Sequence, residues 1–303
     1  MRVKTWMTLG RVSNLPSVWT NVFAAALLAQ ASLLSSSDLQ LLSLRPDVSV
    51  WLGCIVALSL MYLGGMFLND AFDADWDRQH KNTRPIANGE VSVRSVWTNG
   101  LIMLALGAAL IGFLYQSQAS ADTGSYWGWL AAVLLALTIT LYNAVHKSFS
   151  HSAWFMGACR LGVYLIAALL LAELTQVLLL AAVSLLLYIA GITYVACSEH
   201  ENHLLSRWPL LLLFSPLAVG IYLGYQHLYF WLFAVGFCLW VISRIRLLNT
   251  ATPNVRGCIG GLLAAIPLFD GLILASVNLV LPSVACLIIF FTLPRLQRWV
   301  SAT

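Results

Sequence analysis

An all-α polytopic membrane protein is the fold class this sequence predicts, and three observations predict it. The chain is 60% hydrophobic and only 9% charged over 303 residues. Apolar runs of about 18 residues or more recur along it, which a soluble core of this size does not require. Its cations also sort between connectors as a membrane bundle demands. At about 20 residues per span, helices fall near 15–35, 49–70, 93–115, 126–146, 153–172, 176–198, 208–225, 228–246, 257–277 and 281–297, a bundle of nine or ten.

The opening segment, from Met1 to Ala29-Gln30-Ala31, has basic residues, an apolar stretch and small residues in the order of a cleavable signal. It reads instead as an uncleaved first span, because a whole bundle follows it and not a secreted domain. With the N-terminus placed in the cytoplasm, fifteen of the sixteen Lys and Arg fall in cytoplasmic connectors, among them Arg11, Arg78, Lys81, Arg84, Lys147 and Arg160. Only Arg45 falls outside. Positive connectors resist translocation, so this split supports both the helix count and the orientation. It also accounts for the net charge of +4 without a nucleic-acid partner. Short connectors and the lack of a low-complexity linker make residues 1–303 one domain. The expected setting is a multi-pass integral membrane protein, in the inner membrane if the source is bacterial, with the mouth of the site cytoplasmic. Six scattered cysteines, without CxxC or zinc-like spacing, read as packing residues.

The second span runs straight into residues 64–92, GGMFLNDAFDADWDRQHKNTRPIANGEVS, which hold five of the twelve carboxylates. If the helix continues at about 100° per residue, Asp70, Asp73 and Asp77 share an arc of about 60°, with Asn69 at its edge and Asp75 nearly opposite. Carboxylates one turn apart, about 6 Å, repel at low dielectric unless a cation lies among them. A hard divalent ion is the natural occupant. Magnesium takes oxygen ligands, few of them protein carboxylates, and completes its shell with water and phosphate oxygens. The face therefore reads as a diphosphate platform, against the alternative of a solvated helix end. Arg78, His80, Lys81, Arg84 and Pro85 follow, then an Asn88-Gly89 turn signal. Asp75 and Glu90 read as bystanders.

Through these residues the chain resembles the UbiA superfamily of intramembrane prenyltransferases. The family's first signature, NDxxDxxxD, is present as Asn69, Asp70, Asp73 and Asp77, followed by the family-like Arg84-Pro85 and Gly89. The stretch from Tyr142 to Lys147 resembles its tyrosine shortly before a lysine at the end of helix four, and Arg11 resembles the arginine ahead of its opening helix. The resemblance covers roughly residues 10–205. It implies a UbiA-like bundle and Mg2+-dependent transfer of a prenyl group from a prenyl diphosphate to a lipophilic acceptor within the membrane. The allylic C–O bond ionises and the acceptor captures the cation. The catalytic and metal-binding residues it implies are Asp70, Asp73 and Asp77, with Asn69 as a further ligand. Diphosphate binding falls to Arg84 and Lys147, with Arg11, Lys81 and Tyr142 beside them. Trp19, Tyr62, Phe67, Tyr142 and Tyr194 are candidates for the walls around the prenyl tail.

The departure lies after span six, where the family carries a second aspartate motif, DxxxD. Here the chain reads Ser198-Glu199-His200-Glu201-Asn202-His203, with no aspartate. Glu199 is the best candidate ligand for a second metal; imidazole is a poor one for magnesium. Two other functions stay open. A transporter would use Asp270 of span nine as an intramembrane polar group, and a non-catalytic isoprenoid-binding protein would account for the eroded motif.

Overall fold

In lipid a helix satisfies its own backbone where water cannot, and every regular element among the described residues is helical. The computed structural model describes residues 3–31, 48–80, 84–118, 126–147, 149, 151–197, 206–250 and 253–300. A short α1 (Val3–Leu9) and a 3-10 turn (Val12–Asn14) lead into α2 (Leu15–Ala31). Then come α3 (Val48–Phe72), α4 (Ala74–His80), α5 (Val93–Gln118), α6 (Tyr126–Val145), α7 (Ser152–Leu171) and α8 (Gln176–Cys197). A 3-10 stretch (Trp208–Phe214) precedes α9 (Ser215–Gly224), followed by α10 (Leu228–Ile245), α11 (Val255–Ala264), α12 (Ile266–Ser276) and α13 (Val280–Trp299).

Nine helices among the described residues are long and apolar enough to cross a membrane, with α11 and α12 forming one of them. The seventh of the ten expected spans, 208–225, is instead a shorter apolar helix, Trp208–Gly224. Its first part is 3-10 with Pro209 near the start, and Pro216 opens α9. Proline lacks the N–H that would carry the α ladder through, so the helix restarts. A second correction concerns Arg160, counted above among the connector cations. It lies inside α7, 8% exposed, and so contributes nothing to the positive connectors.

Helix α3 packs tightly along α5. A Cβ on Gly64 would stand 2.8 Å from the Gly100 carbonyl oxygen, and one on Gly107 would stand 2.8 Å from that of Ala57. Glycines at these points let two backbones approach, the usual way helices associate where no hydrophobic drive separates them from lipid. The acidic end of α3 is held by a second, smaller apolar cluster. Leu9, Phe67, Ala71, Ala74, Ile86, Val91 and Val96 bring α1, α3, α4 and the start of α5 together around the loop carrying Arg84.

Candidate functional site

Helix α3 breaks at Asp73, but the helical pattern runs on through the break. The Asp73 N–H donates to the Asn69 carbonyl at 3.0 Å and the Asp77 N–H to the Asp73 carbonyl at 2.8 Å. Asp70, Asp73 and Asp77 thus keep the common face expected of them: Asp70 and Asp77 are each 4% exposed, while Asp75 faces solvent and pairs with Arg78.

Cations from three distant parts of the chain meet this face. Arg11 donates to Asn69 Oδ1 at 3.1 Å and to Asp70 Oδ1 at 3.2 Å, and Arg84 donates to the same Asp70 oxygen at 3.1 Å. Lys147 Nζ lies 2.7 Å from Asp73 Oδ1, and His146 Nε2 lies 3.2 Å from it. Burial raises the Asp73 carboxyl, but the hydrogen bonds and charges of His146 and Lys147 outweigh it and hold it below the usual carboxylate value.

Local structure explains each position. Arg84 sits at the base of a tight loop in which the Asn88 N–H donates to the Arg84 carbonyl and the Glu90 N–H to that of Pro85. The turn closes through Gly89 at φ 78, a conformation that suits glycine. Arg11 lies between α1 and the 3-10 turn with φ 43, a backbone region that costs a non-glycine residue about 1–3 kcal/mol. Its Nη1 contacts Met66 Sδ at 3.1 Å, while its Nε is buried without a partner among the described residues.

Sequence reasoning missed two residues here. Asn143 accepts from Asn69 Nδ2 at 3.1 Å and donates to the Gly65 carbonyl at 3.1 Å, locking α6 against α3. His146 places Nδ1 3.0 Å from the Asn143 carbonyl oxygen and Nε2 on Asp73. Both lie within the Tyr142–Lys147 stretch, whose asparagine and histidine were the available signal. Lys81 and Glu199 lie outside the described residues.

Beneath the aspartates a cavity of about 280 Å³ opens between α2, α3, α6, α7, α8 and α11. Arg11, Asn69, Arg84, Tyr142 and His146 line its polar end, and Leu58, Met61, Ile139 and Val163 are among its apolar walls. Tyr62 and Tyr142, both expected as wall residues, line it. Trp19 is instead 39% exposed, with its indole N–H donating to Ser59, and Phe67 belongs to the smaller apolar cluster against Trp6. Tyr194 packs against Trp154 and Trp208.

Among the described residues no three His, Cys, Asp or Glu side chains converge closely enough to hold an ion by themselves. Magnesium draws much of its shell from water and phosphate. The hard oxygens of Asn69, Asp70, Asp73 and Asp77 are the right donors for it.

Residues 17–207 match the model of the UbiA prenyltransferase family. The chain is 28% identical over 155 residues to the digeranylgeranylglyceryl phosphate synthase of Saccharolobus solfataricus, covering 46% of this chain and 51% of that one. It is 30% identical over 104 residues to the protoheme IX farnesyltransferase of Bartonella quintana, covering 33% of this chain and 30% of that one. It therefore spans about half the length of the first relative, and less of the second. A similar solved structure is that of a UbiA homolog from Archaeoglobus fulgidus bound to GPP and Mg2+, with a TM-score of 0.60 at 14% identity over 91% of this chain and 99% of that one. A structure of digeranylgeranylglyceryl phosphate synthase superposes with a TM-score of 0.59 at 18% identity over 91% and 97%. At these identities the likeness establishes the fold.

Proposed function

The chain belongs to the UbiA prenyltransferase family, and from that premise we propose that it transfers a prenyl group from a prenyl diphosphate to a lipophilic acceptor inside the membrane, with Mg2+ as cofactor. The observation that carries this reading is the convergence of Arg11, Arg84 and Lys147 on Asn69, Asp70 and Asp73 at one end of an apolar cavity. Cations brought together around carboxylates at a cavity mouth suit a polyanion whose tail is greasy.

In this reading Asn69, Asp70, Asp73 and Asp77 hold magnesium, with Glu199 as the candidate for a second ion. Bound there, magnesium supplies charge neutralisation for the diphosphate. Arg11 and Arg84 present forked N–H donors to the phosphate oxygens, and Arg11 Nε, buried without a partner among the described residues, is a further donor. Lys147 adds a point charge and stacks over the Trp76 ring at 4.2 Å. As the allylic C–O bond breaks, the electron pair leaves with the diphosphate, and these donors stabilise the growing charge. The acceptor's nucleophilic atom forms the new bond to carbon and gives up its proton to water or to the departing diphosphate. The carbon chain lies along Leu58, Met61, Ile139 and Val163, shielded from water that would quench the cation.

The test incubates purified protein and Mg2+ with labelled prenyl diphosphates of several lengths and a lipid extract. Label transfer to a lipid with release of diphosphate is the expected outcome. Tight binding of the diphosphate without any turnover would move the protein to a non-catalytic isoprenoid binder.

A further inference from the structure

A second polar cluster lies deeper in the bundle and faces the same cavity. Arg160 donates through Nη1 to Asn21 Oδ1 at 2.9 Å and through Nη2 to Ser17 Oγ at 3.2 Å, and its guanidinium lies 5.6 Å from the Tyr62 ring centre. Asn21 Nδ2 then donates to both oxygens of Asp270, at 3.1 and 2.9 Å, and the Tyr164 hydroxyl donates to Asp270 Oδ1 at 2.5 Å. Asp270 is 0% exposed and stands away from the cavity, whereas Arg160 is one of its lining residues. Asn21 separates the two charges, and among the described residues no ion pair joins them directly.

A clamp between helices would need only the direct pair. What this arrangement does is fix a guanidinium at the cavity wall with its own carboxylate held behind it. The neighbouring polar groups are committed: Ser17 Oγ donates to the Asn14 carbonyl at 2.7 Å, and Asn21 is used on both sides. Two of the guanidinium's five N–H groups are occupied by Asn21 and Ser17, and arginine has no accepting atom. Among the described residues nothing else takes up the remaining N–H groups, so the cluster offers donors to the cavity, among apolar neighbours such as Val18 and Met156. The best complement to such a donor is an anionic oxygen.

We propose that Arg160 forms a second subsite in the cavity, specific for an acceptor that bears a carboxylate or phosphate, with Asn21 and Asp270 as its positioning residues. This rests on the prenyl-transfer reading only in calling the bound molecule an acceptor. Tyr62 lies two helical turns from Asn69 on α3, about 10 Å along the axis, and so Arg160 is set deeper than the aspartates. An oxyanion held there leaves the rest of the acceptor pointing toward the diphosphate. Arg160 thus determines both which molecules enter and which end of them meets the prenyl group.

The test uses four probes of one chain length on protein in zwitterionic nanodiscs: octanoate, octyl phosphate, octanol and octylammonium, with geranyl diphosphate and Mg2+ bound in parallel. Wild type is expected to bind at least one of the two anions about tenfold or more tighter than octanol or octylammonium, and the stronger anion identifies the headgroup. Arg160→Gln should erase that preference and leave geranyl diphosphate binding within about twofold, while Arg84→Gln should do the reverse. Because Arg160→Gln strands Asp270, the double change Arg160→Gln/Asp270→Asn is measured with it, and it should recover thermal stability but not anion preference. Equal binding of octanoate, octyl phosphate and octanol by wild type overturns the subsite, as does a preference that survives in both Arg160 variants. If geranyl diphosphate does not bind while the preference still follows Arg160, the subsite stands and the prenyl-transfer reading falls.

Discussion

The two polar clusters of this bundle hold charge in opposite ways. At the mouth, Asp70 and Asp73 make direct contacts with Arg11, Arg84, His146 and Lys147, and the side chains of Arg84 and Lys147 are 24% and 36% exposed. In the interior, Arg160 and Asp270 are held apart by Asn21, and the carboxylate reaches no solvent. The carboxylate Asp70 is itself only 4% exposed, so the difference lies in the cations, two of which reach solvent at the mouth while Arg160 is 8% exposed. Near water an ion pair is worth little and its partners exchange readily. In the interior, stripping one charge leaves the other uncompensated, at a cost of several kcal/mol. In the proposed reading the mouth gives up its cations to a ligand and the interior keeps its own.

The two carboxylates, Asp73 and Asp270, should respond most differently to replacement. Asp73→Asn should lower prenyl transfer by about 10²–10³-fold or more, the scale of losing one preorganised electrostatic group, while costing no more than about 1 kcal/mol of stability at neutral pH. The depressed Asp73 value also fixes a sign. Its ionised form contributes to stability above the ordinary carboxylate range, and that contribution is lost as pH falls through the folded value. Asp73→Asn should therefore narrow the difference in stability between neutral and acid pH. Asp270→Ala should act in the other direction, lowering unfolding stability by about 3–5 kcal/mol and weakening turnover only in proportion to the folded fraction lost or the displacement of Arg160. If Asp73→Asn unfolds the protein, or Asp270→Ala leaves it unmoved, the division between the clusters is wrong.

Arg84→Lys sharpens the picture of the mouth. Lysine keeps the charge but loses the fork and cannot reproduce the guanidinium's directed contact with Asp70 Oδ1. Affinity for geranyl diphosphate should fall about tenfold, measured by direct binding at constant Mg2+. A change of less than twofold would mean that charge alone attracts the ligand.

Much of the mouth could be read in the sequence because its aspartates lie close together on one helix. A spacing of three and four residues defines a face whatever surrounds it. The spans were readable for a similar reason, since lipid imposes length and apolarity on each segment separately. The interior cluster has no such local signature. Asn21 and Asp270 are 249 positions apart, and a hydropathy pattern holds no information on which helices touch. Arg160 lies within reach of the connector following α6, and so it passes for a topological charge until α7 is seen to bury it. Asn143 escapes notice because its partners, Asn69 and Gly65, are on another helix. The seventh apolar run shows the limit of length counting, since Pro209 and Pro216 change how it winds without changing its hydropathy.

The smallest effect is expected at Glu90, which tethers α1 to the loop carrying Arg84. Glu90 Oε2 accepts from the Thr5 hydroxyl at 2.7 Å and Oε1 accepts from Asn88 Nδ2 at 2.9 Å. Both loop and helix are already pinned by Leu9, Ile86 and Val91 in the smaller apolar cluster. Glu90→Gln keeps an oxygen for one of the two donors, so the loss should stay within about 1 kcal/mol, read as a small shift in thermal midpoint. Because Arg11 follows directly from α1 and Arg84 from the loop, any slackening should reach both arginines together. Geranyl diphosphate binding should then weaken modestly, about two- to threefold, with anion preference at Arg160 unchanged. A loss at Arg160 as large as that at the mouth would show that the two ends of the cavity move as one body and not as separate sites.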